Sequence, residues 1–259
     1  MTAVITGGSS GIGLAAARYF AKKGYKVYEL SRKGGGDGGV SHITADVTDE
    51  AAVKSAFEEI YRRAGSIDTL VNCAGFGISG AAEFTALDDA KRLMEVNFFG
   101  SFICDKAAIP YLRETKGSIA HISSVGGPLA IPFQAFYSCS KMAINALTLA
   151  LANELRPFGI RVCAVMPGDV KTGFTAAREK SAAGEALYGD RVKKSVAVME
   201  RDEQNGMPPV SIAKKIYKMS REKRPKPLCT VGLQYKFFLL LYRVMPWRLV
   251  NWIVGRIYD

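Results

Sequence analysis

The chain has 259 residues, 48% hydrophobic and 23% charged, a globular composition that excludes disorder and can bury a core without disulfide or metal staples. Its net charge of +11 sits almost wholly in the last third: residues 1–170 carry 17 basic and 16 acidic side chains, residues 171–259 carry 18 and 8. A general nucleic-acid binder spreads basic residues over its main domain, so no nucleic-acid partner is expected.

Residues 2–6 (TAVIT) are short, apolar and β-branched and predict a buried strand. The chain opens directly into it, without the basic and apolar regions of a secretion signal, and a cytoplasmic location is expected. Residues 11–23 predict a helix stopped by Gly24. A strand at 26–30, a flexible turn at 34–39 (GGGDGG), a weak strand at 41–45 and a helix at 49–64 follow. Next come a strand at 67–71, a long helical stretch at 86–113, a strand at 117–123, a long helix at 135–156 and a strand at 160–166. Strands alternating with helices at this spacing predict right-handed crossovers and a single-domain α/β fold, a Rossmann-type doubly wound parallel sheet.

Beyond it, residues 173–207 are rich in Ala, Gly and charge and predict a mobile lid. Seven basic residues lie between Lys214 and Lys226. They form either a solvated helix face and loop or a surface for an anionic partner such as a phospholipid leaflet. Residues 233–258 hold both tryptophans and seven aromatics, with uncharged runs of six or seven residues, too short to span a membrane. Pro246 splits them into two helical pieces. Interspersed Lys236, Arg243, Arg248 and Arg256 suit an interfacial helix and peripheral membrane contact through 233–259. Packing on the chain's own domain or on a second subunit is the alternative. The expected division is a catalytic domain over 1–232 and an amphipathic helical tail over 233–259.

The segment from Thr6 to Gly13 (TGGSSGIG) joins the first strand to the first helix. Small residues let the backbone approach a pyrophosphate, and the helix end supplies amide donors and a positive dipole. Tyr137 and Lys141, four apart, share one helix face. His121 lies in an apolar strand and reads as a core or edge residue, and Cys139 and Cys163 read as small buried side chains. Five cysteines without a CxxC pair and two histidines predict reduced thiols and no metal site.

Together these segments resemble the short-chain dehydrogenase/reductase family. The resemblance covers about residues 1–232 through five motifs in the family's order. They are TGGSSGIG at 6–13, Asp46-Val47 after the third strand, NCAG at 72–75, Ser124 with YSCSK at 137–141, and PGDVKT at 167–172. Cys73 departs from the family's usual NNAG. The resemblance implies that Tyr137 transfers the proton, that Lys141 lowers its pKa and binds the nicotinamide ribose, and that Ser124 donates to the substrate oxygen. Spacing to Tyr137 favours Ser124 over its neighbour Ser123. Asn97 matches the family's asparagine, which supports a water-linked proton relay to the lysine. The implied cofactor contacts are Gly7, Ser9, Ser10, Gly11, Ile12, Gly13, Arg32, Asp46, Val47, Asn72, Ala74, Gly75, Tyr137, Lys141, Pro167, Gly168, Val170 and Thr172.

A tyrosine with an ordinary pKa of about 10 is a poor base near neutrality, and a neighbouring ammonium favours its phenolate. Neutral Ser31 followed by Arg32 favours NADP(H), because arginine meets a 2′-phosphate that an acidic residue would repel. Strand alternation is expected to turn Glu29 to the opposite side. The activity implied is interconversion of a ketone and a secondary alcohol by a homo-oligomer. Its substrate is a small apolar carbonyl or alcohol such as a steroid, retinoid or lipid ketone, since ISSVGG…IPF…FYSCSK is similar to the steroid and retinol branch. A catalytically silent NADP(H)-sensing or scaffold protein on the same fold is the alternative.

Overall fold

In the computed structural model, residues 1–34 and 38–258 are described, so the centre of the turn expected at 34–39 lies outside the described residues. The first strand, β1 (Thr2–Thr6), is buried along its whole length, as apolar β-branched residues between two helical layers must be. It leads through the glycine loop into α1 (Gly11–Lys22), then β2 (Lys26–Ser31) and β3 (Val40–Thr44). Asp49 caps α2 (Glu50–Ala64), its carboxylate accepting from the Ala52 amide at 3.0 Å. Then come β4 (Thr69–Asn72) and the two-residue β5 (Ile78–Ser79).

The long stretch expected at 86–113 is a continuous rod, irregular at a π turn partway along and at Pro110, which lacks a helical amide donor. It comprises α3 (Leu87–Met94), a π turn over Glu95–Phe99, and α4 (Gly100–Thr115). The strand β6 (Ser118–Ile122), the helix α5 (Ala135–Glu154) and the strand β7 (Arg161–Pro167) complete the alternating part.

Where composition predicts a mobile lid, the structure places α6 (Phe174–Ala177), β8 (Glu179–Lys180), α7 (Glu185–Tyr188) and α8 (Arg191–Gln204). Val192, Val196 and Met199 bury one face of α8, at a helical spacing legible in the sequence. Next is α9 (Pro209–Arg221), whose Ile212, Ile216 and Met219 are buried while Lys214 and Lys218 face solvent. The strand β9 (Leu228–Val231) and two tail helices, α10 (Leu233–Val244) and α11 (Trp247–Tyr258), end the chain. Pro246 immediately precedes α11, where its missing amide costs no helical hydrogen bond.

Seven strands form one parallel sheet in the order β3-β2-β1-β4-β6-β7-β9, a doubly wound α/β domain as expected. One face packs Val53, Phe57 and Ile60 of α2 with Leu112 of α4. The other packs Phe20 of α1 with Ile212 and Ile216 of α9. Strand order reverses between β1 and β4, so the crevice at their carboxyl ends is where such a sheet takes a ligand.

Candidate active site

The glycine loop leaves β1 at Thr6. The Thr6 hydroxyl accepts from the amides of Cys73 and Ala74, both at 3.1 Å, and so binds the loop to the end of β4. A side chain on Gly13 would begin 2.2 Å from the Gly7 carbonyl oxygen, which explains why this turn tolerates no Cβ. The open end of α1 points its unpaired amides at the crevice.

At the end of β2, Arg32 is exposed on the rim of the same crevice. Burial opposes ionisation of Asp46, but hydrogen bonds from the Thr48 amide at 3.0 Å and hydroxyl at 2.8 Å, with the Arg32 charge, hold its pKa below the ordinary value. Glu29 corrects the alternation argument. Residues 29 and 31 share a strand face, and the Ser31 hydroxyl donates to the buried Glu29 carboxylate at 3.3 Å. The other partner of that carboxylate is His42.

Three side chains converge at the ends of β6 and α5. The Ser124 hydroxyl accepts from the Gly126 amide at 3.0 Å and hydrogen-bonds Tyr137, whereas Ser123 donates to the Lys141 carbonyl at 3.0 Å. Lys141 is 7% exposed, and its ammonium donates to the Ile122 carbonyl at 2.9 Å. Its Nζ lies 5.6 Å from the centre of the Tyr137 ring.

Burial lowers the Lys141 pKa to about 8. Burial also pushes the Tyr137 phenol up to about 12, partly opposed by the Ser124 hydrogen bond. Among charged neighbours, Glu203 and Asp169 raise it and Arg178 lowers it. In the protein alone, then, desolvation outweighs the Ser124 hydrogen bond and the Arg178 charge, and the Tyr137 pKa stands above its ordinary value rather than below it.

Asn97 sits in the π turn, which carries its amide inward. Its Nδ2 donates to the Phe76 carbonyl at 3.0 Å and to Ser140 Oγ at 3.1 Å, while its Oδ1 accepts from the Phe76 amide at 2.9 Å. A Cβ on Gly75 would lie 3.0 Å from Asn97 Oδ1 and 3.7 Å from Lys141 Nζ, so the two side chains flank one glycine.

Every expected cofactor residue except Asn72 lines a single cavity of about 1540 Å³. The Asn72 side chain turns away into the core and donates to Asp105 Oδ1 at 2.8 Å. Asp105 also meets His121 Nε2 at 2.9 Å, and His121 Nδ1 meets Thr148 Oγ1 at 2.8 Å. His121 is thus the core histidine its apolar strand predicts. Cys163 is buried, but Cys139 faces solvent on α5, against expectation. Helical phase explains it, since the buried Ser138, Ser140 and Lys141 occupy the inner face.

The cavity continues past Tyr137 to the tail. A stripe on α10 (Tyr235, Phe238, Leu241, Tyr242) and another on α11 (Val250, Ile253, Val254, Ile257) wall its far end. Other neighbours of Tyr137 carry no signal in the sequence. The Phe174 ring lies 5.7 Å from that of Tyr137, and Glu203 pairs with the buried Arg178. No local pattern marks these residues, because tertiary folding alone brings them to Tyr137.

Comparison with known proteins agrees with this geometry. A family model described as short chain dehydrogenase matches residues 1–183. The 3-ketodihydrosphingosine reductase of Bacteroides thetaiotaomicron is 40% identical over 233 residues, 88% of this chain and 87% of that protein. A solved short-chain dehydrogenase from Streptomyces avermitilis superposes with a TM-score of 0.86 at 29% identity, covering 100% of this chain and 98% of that one. ElxO, solved with NADP bound, superposes with a TM-score of 0.74 at 27% identity, over 91% and 98% of the two chains.

Proposed function

Because the chain belongs to the short-chain dehydrogenase family, we propose that it is an NADP(H)-dependent oxidoreductase that interconverts a ketone and a secondary alcohol on a lipid-like substrate. The observation that carries this reading is the single cavity. It runs from the glycine loop, past Ser124, Tyr137 and Lys141, to an apolar wall built by α10 and α11.

The residues present fit the cofactor. The turn at Gly7 and Gly13 leaves no room for a Cβ, the α1 amides face the crevice, and Arg32 places a cation at its outer end. ElxO, solved with NADP, supports the choice between nicotinamides.

When bound, NADPH supplies the hydride. The protein's own part is proton transfer and orientation. Ser124 donates to the carbonyl oxygen and holds it beside the Tyr137 hydroxyl, which gives its proton as negative charge develops on that oxygen. Lys141, protonated at neutral pH, supports the phenolate left behind. Asn97 holds the Phe76 backbone and Ser140, and through them the base of this group.

The relative named for 3-ketodihydrosphingosine and the apolar far wall both support a long-chain ketone as substrate. Peripheral contact of residues 233–259 with a membrane belongs to the same proposal. The outer side of the tail exposes Trp247 (70%) and Trp252 (59%), and no residue from 223 to 258 is acidic. Among the described residues, no helix is long and apolar enough to cross a membrane. Exposed Phe99 in the π turn, Phe102 on α4, and Met142 and Leu149 on α5 support a homo-oligomer.

The test is NADPH oxidation by purified protein with 3-ketodihydrosphingosine, a keto-steroid and a short water-soluble ketone. Faster turnover of the long-chain ketone is expected. NADPH binding with no turnover of any carbonyl would favour the scaffold alternative, and turnover of the short ketone alone would end the lipid assignment.

A further inference from the structure

One contact joins the tail to the loop that follows β7. Tyr235, on the first turn of α10, is 8% exposed, and its ring covers Gly168 so closely that a Cβ there would lie 2.2 Å from the ring carbons. The Tyr235 hydroxyl donates to Asp169 Oδ2 at 2.5 Å and accepts from the Asp169 amide at 3.1 Å. On its other side the same turn is pinned by residue 207. The Met207 amide donates to the Asp169 carbonyl at 2.9 Å, and the Lys171 amide donates to the Met207 carbonyl at 3.0 Å. Residues 167–170 line the same cavity as Tyr137, and Tyr235 opens the apolar stripe of α10.

The Asp169 carboxylate is a costly group to leave unpartnered, since burial already raises its pKa and the Tyr235 hydrogen bond opposes that rise. A contact that satisfies a buried carboxylate and packs an aromatic ring on a bare Cα fixes the separation of two backbones in a way that apolar packing does not.

We propose that Tyr235 is a positioning residue for the reaction: it locks the tail hairpin onto the Gly168–Asp169 turn, so that one side chain sets both the cofactor-facing turn and the roof over the substrate. The proposal rests on the oxidoreductase reading above, but the lock itself exists in the protein without cofactor.

Two measurements separate the proposal from that reading. Tyr235→Phe keeps the ring and removes the hydroxyl, and Tyr235→Ala removes both. Limited trypsin digestion at Arg243 and Arg248 reports whether the hairpin is seated and needs no activity. Cleavage about tenfold faster than wild type is expected for Tyr235→Ala, with an intermediate rate for Tyr235→Phe. With NADPH and a long-chain ketone, Tyr235→Phe is expected to lose about tenfold in kcat with KM for the ketone within about twofold. Unchanged cleavage in Tyr235→Ala, or unchanged kcat in Tyr235→Phe with an active wild type, overturns the proposal. A wild type without turnover fails the oxidoreductase reading instead, and the cleavage rates still decide the lock.

Discussion

The two parts of this molecule treat charge and apolar surface differently. Residues 1–170 are almost neutral, supply most of the two core layers, and carry the family's short motifs. Residues 171–259 hold most of the net positive charge and turn apolar side chains in two directions, inward to the cavity and outward to solvent. In the proposed function the first part supplies the cofactor cradle and the proton-transfer group, and the second supplies the apolar walls for the substrate, so that position along the chain separates reaction chemistry from substrate choice.

The sharpest way to break that division is Tyr137→Phe. It removes the proposed proton-transfer group and keeps the ring that packs against Phe174. Turnover is expected to fall about 10²- to 10⁴-fold, with NADPH affinity by fluorescence titration unchanged. Retention of a tenth of wild-type kcat would place the chemistry elsewhere. Arg32→Ala probes the cofactor end of the same part. Loss of a charge-assisted contact costs roughly 10- to 150-fold in affinity, so Kd for NADPH should rise by that factor while Kd for NADH stays put. Equal weakening of both cofactors would show that Arg32 does not read the 2′-phosphate.

The second part is tested at its outer face. Replacing Trp247 and Trp252 together by Ser should cut flotation with anionic vesicles about tenfold and leave turnover of a water-soluble ketone, if measurable, unaltered. A wild type that does not float at low salt would end the membrane contact.

The smallest effect joins charge to stability. The Lys141 pKa falls from 10.5 unfolded to about 8 folded, so its unfolded form binds the extra proton between these values. Stability from this group is therefore lowest below pH 8 and is regained as pH rises towards 10.5. Lys141→Met carries no such penalty. Its melting temperature relative to wild type should be highest near pH 7 and fall by a few degrees, about 1 kcal/mol, by pH 10. A difference independent of pH would mean that Lys141 is not desolvated.

Much of the first part was legible because its signals are local. TAVIT followed by TGGSSGIG needs no knowledge of distant residues to read as strand, loop and helix, and YSCSK carries its own helical spacing. Side-chain direction there is geometry that a motif does not encode. Asn72 faces Asp105 rather than the cavity, and Glu29 shares its strand face with Ser31. In the second part, composition was legible and direction was not. A tail that is apolar on two faces can fold back on its own domain or face outward, and its stripes alone do not choose. Tyr235 meets Gly168 across a sequence gap, so nothing near either residue signals the contact.

The π turn at Glu95–Phe99 holds one more consequence. Such a turn amounts to a single added residue in an α-helix, and one residue corresponds to a rotation of about 100° about the axis. Deleting one residue between 95 and 99 would leave a regular rod of nearly the same length. It would, however, rotate α3 against α4 and pull Asn97 off the Phe76 backbone. The turn thus works as a phase shifter: α4 keeps Cys104, Ala108 and Leu112 in the core while one polar side chain upstream is aimed at Ser140 on α5. A shortened chain of this kind would keep its core and lose the alignment of Asn97 with Ser140, a lesion of timing along a helix rather than of composition.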